Sequence, residues 1–467
     1  MNDRAPDATQ RAGRGGIFIG AAKIYFILLG LGQQIALKHI LGKDAYGDLG
    51  QVLSLASIFY NPIVQAGIQG VSRAVSGSPP DEQAAAQRRA ITIHSLAVMP
   101  VALLFALAAD WTARVSYVPH MAAAWRIAAV VMLAYGLYAP LVGALNGRQR
   151  FGWQAGLDAT AATLRTLGLL GGAWLLTRSG QGIEGALGGF AGAAMLMVII
   201  TLPIAGLGRA GGGGPSLRAH LLFVAPLFGG QFLLNLLMQA DLQLLSVFAG
   251  EAAAREGIAL DEAGGVKGAY RAAQLFGFLP YQILLAIAFV LFPMLASAHR
   301  DGDREAVARS VRGGMRIAMV LAGLMVSVTA GLSEPVLRLV FGADIAVLGA
   351  RGLTLMALGL GAFAQFGILS TVLNSLKRER LSALLTAMAF ALVVVLCLVF
   401  VRNQPYGEEL VVRTAIATGT SLVLATAFAA FAVKRAAGAA IPLLTLLRVT
   451  VALALSIALA RVLPAPG

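Results

Sequence analysis

Charge is scarce in this chain. Asp, Glu, Lys and Arg make up 12% of its 467 residues, about half the share of an ordinary soluble domain. Hydrophobic residues make up 58% and the mean hydropathy is +0.78, a balance that argues against a water-soluble fold. Cysteine is scarcer still: Cys397 stands alone, so no intrachain disulfide can form and nothing about redox compartment follows. Acids are outnumbered by bases, 22 to 36, for a net charge of +14. The bases nevertheless lie singly along the chain and form no interleaved basic and aromatic surface, which argues against nucleic acid as a partner. Signatures of catalysis are missing too. The five histidines, His39, His94, His120, His220 and His299, stand far apart with no metal-ligand spacing. There is no Walker sequence, and Gly206-Leu207-Gly208-Arg209-Ala210-Gly211, a formal match to the dinucleotide pattern, ends an apolar run with no strand before it. No cofactor, metal or catalytic residue is therefore expected, and the chain is not expected to be an enzyme.

What the sequence has in quantity is apolar runs long enough for a bilayer, which needs about 20 residues of helix. Runs fall near 16–38, 46–71, 90–109, 124–146, 152–177 and 184–207, then near 221–248, 268–297, 314–332, 346–375, 381–401, 411–433 and 441–463. The expected fold is therefore all-α and polytopic, with twelve to fourteen transmembrane helices and thirteen by this count. Arg4, Arg11 and Arg14 precede the first run as in a signal peptide. That run continues through Lys23, Gln33, Gln34 and Lys38 without a small-residue cleavage site, so it reads as an uncleaved first helix. Lys and Arg stay on the cytoplasmic side of a membrane. With the N-terminus inside, the inner segments hold 20 bases against eight acids, whereas the outer loops hold twelve of each. The thirteenth helix then puts the C-terminus outside. The stretch Asp303 to Arg316 suits either an amphipathic helix on the inner membrane surface or a solvated linker.

Two echoes suggest an internal duplication. Lys43-Asp44-Ala45-Tyr46 opens the second helix and Lys267-Gly268-Ala269-Tyr270 the eighth, an offset of 224; Leu145-Asn146 and Leu373-Asn374 close the fourth and tenth, an offset of 228. An even number of helices per copy makes the copies parallel. The expected organisation is an N-terminal six-helix lobe over 1–207, a Gly-rich cytoplasmic linker over 208–220, a C-terminal six-helix lobe over 221–433 and an extra helix within 434–467, with a central cavity between the lobes.

Ionisable groups inside such helices cost roughly 2.5–3.5 kcal/mol each and so face a partner or a wet cavity. The acids not assigned to loops are Asp158 and Asp241, and the matching bases within the two lobes are Lys23, Arg165 and Arg271. Arg165 lies near the middle of the fifth helix, and Asp158, seven residues earlier, shares its face about 10 Å away along the axis. Asp241 and Arg271, on adjacent antiparallel helices, are expected at similar depth, as a fixed salt bridge or as a pair that opens. Gln33 and Gln34 in the first helix, Gln231, Asn235 and Gln239 in the seventh, and Gln274 and Gln282 in the eighth add uncharged polar groups; the four-residue spacing in the seventh draws one stripe. Pro62, Pro140, Pro226 and Pro280 are expected to interrupt helices two, four, seven and eight.

The run Gly16 to Leu41 followed by Ala45-Tyr46-Gly47, Asp241 followed by Gly268-Ala269-Tyr270, Ser333-Glu334-Pro335 before Phe341-Gly342, and Leu373-Asn374 before Lys377 and Arg378 together give a further reading. In their order and spacing they resemble the polysaccharide transporter branch of the multidrug, oligosaccharidyl-lipid and polysaccharide exporter superfamily. The resemblance covers nearly the whole chain. It implies two lobes with alternating access, a bacterial inner-membrane flippase for undecaprenyl-diphosphate-linked oligosaccharide in O-antigen or capsule synthesis, and cavity cations that hold the diphosphate. Carried onto this sequence those cations are Lys23, Arg165 and Arg271, with Gln33, Gln34, Gln231, Asn235, Gln239 and Gln274 lining the cavity and Asp241 and Asp158 as ion-coupling or gating groups. Lipid, a coupling proton or sodium ion and a polysaccharide polymerase are the other expected partners. A cation-coupled multidrug exporter and a peptidoglycan-precursor flippase are the alternatives within transport. A membrane polysaccharide polymerase or ligase is the alternative of another class, although it ordinarily needs a large outer loop and none is visible.

Overall fold

The computed structural model describes the backbone of residues 8–462, and side chains from Tyr25 onward apart from 286–290, 292–294, 296, 299 and 461. Among the described residues every regular element is helical. That is the solution lipid imposes, since a helix satisfies its own backbone donors and acceptors. In chain order the helices are α1 (Ala8–Leu41), α2 (Lys43–Ser76), α3 (Gln83–Leu107), α4 (Ala109–Val115), α5 (Ala122–Gly147), α6 (Phe151–Thr177), α7 (Gly182–Ala205) and α8 (Leu217–Glu256). They continue with α9 (Gly265–Gly277), α10 (Leu279–Arg300), α11 (Arg304–Gly331), α12 (Ser333–Phe341), α13 (Ala343–Ser375), α14 (Glu379–Phe400), α15 (Glu408–Ala437) and α16 (Leu443–Val462).

Each predicted run coincides with a helix, and nine of the described helical stretches are long and apolar enough to cross a bilayer. α2 and α6, described throughout yet not among the nine, carry Asp48 and Asn61 and Asp158 and Arg165, polar groups that lower their hydropathy; Asn61 and Arg165, as described below, line one cavity. Two features differ from expectation. The eighth run is two helices, because Pro280 sits in the first turn of α10, where its missing N–H is harmless, and α9 stops before it at Phe278. Pro62, Pro140 and Pro226, by contrast, lie inside unbroken helices. The basic stretch from Asp303 is neither a separate surface helix nor a linker: Asp303 caps α11 by accepting from the Ala306 N–H, and the helix runs on to Gly331.

Packing follows small residues. Gly168 and Gly172 of α6 meet Gly185 and Gly189 of α7 so closely that a Cβ on any of the four would come within 2.3 Å of a facing carbonyl oxygen. This is the small-xxx-small contact that brings helix backbones together in lipid, where no hydrophobic force drives helices against each other. The second such contact joins the two segments whose sequences echo each other: a Cβ on Gly47 would strike the Gly264 carbonyl at 2.0 Å, and one on Gly268 the Lys43 carbonyl at 2.6 Å. α2 is thus the seam of the molecule, packed on α3 and α5 to one side and on α8 and α9 to the other, while α13 packs on α9, α10, α11 and α15. α16 lies along α11, with Val449 against Gly323 and Ala460 against Gly331.

Candidate functional site

A cavity of about 270 Å³ lies at mid-height where α1, α2, α6, α7, α8, α9 and α10 converge. Its polar wall is Gln33 and Gln34 of α1, Ser54, Ser57 and Asn61 of α2, Arg165 of α6, Gln239 of α8, Arg271 of α9 and Gln282 of α10; Phe26, Tyr60 and Phe190 stand between them. Two arginines face this space, and no carboxylate is among the described residues that line it. Arg165 has no hydrogen-bond or salt-bridge partner among the described residues, and its buried Nε is unsatisfied. Arg271 reaches only the Gln274 side-chain oxygen, at 3.4 Å, and its aliphatic stem lies against Gly50 of α2. Both arginines are half-buried and neither has a carboxylate partner, and the buried Arg165 Nε is costly to leave unsatisfied, so the cavity is electrostatically complementary to an anion. Guanidinium forks suit phosphate oxygens best.

The neutral groups are braced from behind. Thr166 donates to Gln33 Oε1 at 2.9 Å, Ser54 to Gln239 Oε1 at 2.7 Å, and Asn61 Nδ2 to Asn235 Oδ1 at 2.9 Å. The stripe expected on α8 therefore divides. Gln239 lines the cavity, Asn235 supports Asn61 from behind, and Gln231, which does not line it, accepts from Asn235 through its backbone carbonyl. Asp158 is not part of the wall either; it accepts from Tyr138 at a marginal 3.5 Å. Lys23 lies outside the residues whose side chains are described.

The expected salt bridge between Asp241 and Arg271 is not formed. Asp241 is buried and accepts from the Tyr270 hydroxyl at 2.6 Å, from Gln274 Nε2 at 3.0 Å and from the Leu242 N–H at 2.8 Å. Helical periodicity explains this: Tyr270 and Gln274, four apart, share the face of α9 turned to α8, while Arg271 is rotated about 100° toward α2 and the cavity. Gln274 connects the two, giving its amide N–H to Asp241 and its oxygen to Arg271.

A second polar cluster is not foreseen from spacing. Lys267 of α9 donates to Asp48 and, at 3.1 Å, to Gln51, both of α2, while His120 Nε2 lies 3.3 Å from the other Asp48 oxygen. The side chains of Lys267 and Asp48 are 3% and 2% exposed, so this ion pair is dry. Nearby, Lys38 of α1 pairs with Asp344 of α13 at 2.8 Å. Asp48 and Lys267 both stand at helix starts, where charges are ordinarily hydrated, and sequence alone counts them with the outer loops. The signal that could have found them is the echo itself, which predicts that the two segments are equivalent and so able to meet on an axis of pseudosymmetry.

Fold and composition together define a multi-pass α-helical membrane protein. The same fold is seen in the lipid II flippase MurJ in an inward closed conformation (TM-score 0.76, 15% identity, 95% of this chain and 92% of that one). It is seen also in an inward-facing multidrug resistance transporter of the MATE family and MOP superfamily (TM-score 0.72, 14% identity, 88% and 95%). A MOP superfamily transporter from Pyrococcus furiosus aligns with a TM-score of 0.58 at 14% identity over 95% and 96% of the chains. Among curated proteins no sequence matches significantly. The chain belongs to the polysaccharide biosynthesis protein family, which it matches over residues 12–299, more than half its length.

Proposed function

We propose that the protein is a flippase that moves an undecaprenyl-diphosphate-linked oligosaccharide from the inner to the outer leaflet of the bacterial cytoplasmic membrane, for surface polysaccharides of the O-antigen or capsule kind. The observation that carries this reading is the cavity with two arginines, neither in a salt bridge, and no acid among its described lining residues. Arg165 and Arg271 grip the diphosphate, with Lys23 as a third cation. Gln33, Gln34, Gln239 and Gln282 meet sugar hydroxyls, Asn235 and Gln274 hold the wall, and Gln231 extends the polar face of α8. Family membership supports the substrate class.

In this reading residues 1–207 and 221–433 are the moving lobes, 208–220 is the cytoplasmic linker, 434–467 holds the extra helix, and the N-terminus is cytoplasmic, an orientation that the excess of inner bases supports. The Asp48–Lys267 and Lys38–Asp344 pairs then close the outer end. Asp241 is the coupling group: a proton or sodium ion that neutralises it weakens the bond from Gln274 and frees that side chain to move with Arg271. Asp158 serves a gating role at the inner half of α6. A polysaccharide polymerase receives the product outside.

The test is translocation of labelled lipid-linked oligosaccharide in proteoliposomes. Transport of intact substrate that is lost in Arg165→Ala, with folding retained, supports the proposal. Normal transport by that variant removes the site assignment, and a lengthened or transferred glycan would make the protein a polymerase or ligase. A peptidoglycan precursor remains the second reading, since it presents the same diphosphate and the fold is shared with a lipid II flippase; the same assay with lipid II separates the two. Export of cationic drugs is disfavoured by a cavity whose described lining is cationic.

A further inference from the structure

A second cavity, of about 420 Å³, opens between the last turns of α2 and the first turns of α8, far along both helices from the arginine cavity. It is lined by Gly70, Arg73 and Ser78 on one side and by Ala219, His220 and Phe223 on the other. Three features give it chemistry. The Arg73 guanidinium lies 4.0 Å from the centroid of the Phe223 ring, which holds it in place by a cation–π contact, and it has no salt-bridge partner among the described residues. His220 is 4% exposed, yet its Nε2 has no hydrogen-bond partner, and a buried ring nitrogen left so calls for a partner, which for the Nε2–H tautomer is an acceptor. α8 is 40 residues long and begins here, its first turn capped by Ser216, so its positive end faces the same space. No acid is among the described lining residues.

The surroundings select the ligand. Leu217, Leu221 and Leu222, from the same turns of α8, are 57%, 40% and 67% exposed, which is where acyl chains would lie if the bound phosphate belonged to a lipid. We propose that this cavity binds the phosphate headgroup of an anionic phospholipid, held by the Arg73 guanidinium and the His220 Nε2–H, with the acyl chains on the leucines of α8. Basic pockets between membrane helices recognise headgroups in this way. Because Arg73 comes from α2 and His220 from α8, on either side of the 206–216 segment, one lipid phosphate would fasten the two halves at this end. The proposal does not depend on what the central cavity carries.

The purified full chain in neutral detergent is titrated with phosphatidylglycerol, with phosphatidylcholine and with inorganic phosphate, and bound lipid is counted by native mass spectrometry. Phosphatidylglycerol should bind in preference to phosphatidylcholine. Arg73→Gln, at an exposed position that leaves folding intact, should weaken it on the order of tenfold or more, as loss of a charge-assisted hydrogen bond does. His220→Gln, which keeps a donor, should retain most of the affinity, and His220→Leu should lose it. Arg435→Gln, which removes an arginine stacked on Phe431 outside this cavity, should change nothing. Equal binding of the two lipids, undiminished phosphatidylglycerol binding in Arg73→Gln, or equal losses in Arg73→Gln and Arg435→Gln would overturn the proposal. Displacement of phosphatidylglycerol by inorganic phosphate with equal affinity would overturn the lipid assignment in favour of a free-phosphate site.

Discussion

Replacing Lys267 by methionine removes one charge from the driest ion pair in the described structure and leaves the Asp48 carboxylate with His120 alone. Breaking a buried pair from one side costs roughly 3–5 kcal/mol, because the remaining charge stays desolvated. The penalty falls only on the conformation in which α2 and α9 are pressed together through Gly47, Gly264 and Gly268; once they part, water reaches Asp48. At about 1.4 kcal/mol per factor of ten, the equilibrium should shift roughly 150- to 4000-fold toward separation at that end. The readout is the distance between spin labels on Arg114→Cys in α4 and Asp261→Cys in the α8–α9 loop, both exposed, in a Cys397→Ala background. Lys267→Met should replace a short distance by a longer one. Lys267→Met combined with Asp48→Asn should restore the short distance, since no desolvated charge is then left without its partner. The reasoning is refuted if the single variant keeps the short distance, or if the double variant opens as widely as the single one.

Other outcomes follow from the same geometry. Arg165→Lys should keep part of the translocation that Arg165→Ala loses, because it preserves charge while giving up the fork; equal loss in both would show that bidentate geometry decides, and full retention that charge alone does. Asp241→Asn should leave the fold intact and abolish the dependence of transport on a proton or sodium gradient, measured by collapsing each gradient in proteoliposomes. Gly172→Val should drive a side chain into the Gly185 carbonyl and lower stability by about 1–3 kcal/mol or more, visible as a fall in the thermal midpoint in detergent. Gly171→Val, with open space at its Cβ position, should be tolerated.

The sequence carried most of the fold because the bilayer writes itself into composition: each of the thirteen apolar runs lies on a helix, with errors only where local chemistry overrode hydropathy, as at Pro280. The site was legible in part. A membrane-embedded arginine is expensive enough to stand out, so Arg165 and Arg271 could be named and the structure brings both to one cavity. Partnerships were not legible, since they depend on helix rotation: the one-residue step from Tyr270 to Arg271 decides which of them meets Asp241. Asp48 and Lys267 escaped for a different reason. Near helix ends hydropathy does not distinguish a hydrated charge from one buried by a neighbouring helix, and only three-dimensional packing of α2 on α9 does so.

The helix that brings Arg165 to the polar wall is also one poorly suited to enter a bilayer unaided. α6 carries Arg165, and α7, the helix it must join through Gly185 and Gly189, follows after only four residues. With an arginine penalty of about 2.5–3.5 kcal/mol at mid-membrane, α6 is poised to wait at the translocon until its partner emerges, so that the two enter as a hairpin. Biogenesis would then be the stage at which a loosened α6–α7 contact is felt first: a variant such as Gly172→Val should accumulate in the membrane at a lower level than the parent, and the fraction that does insert should carry the lowered thermal midpoint.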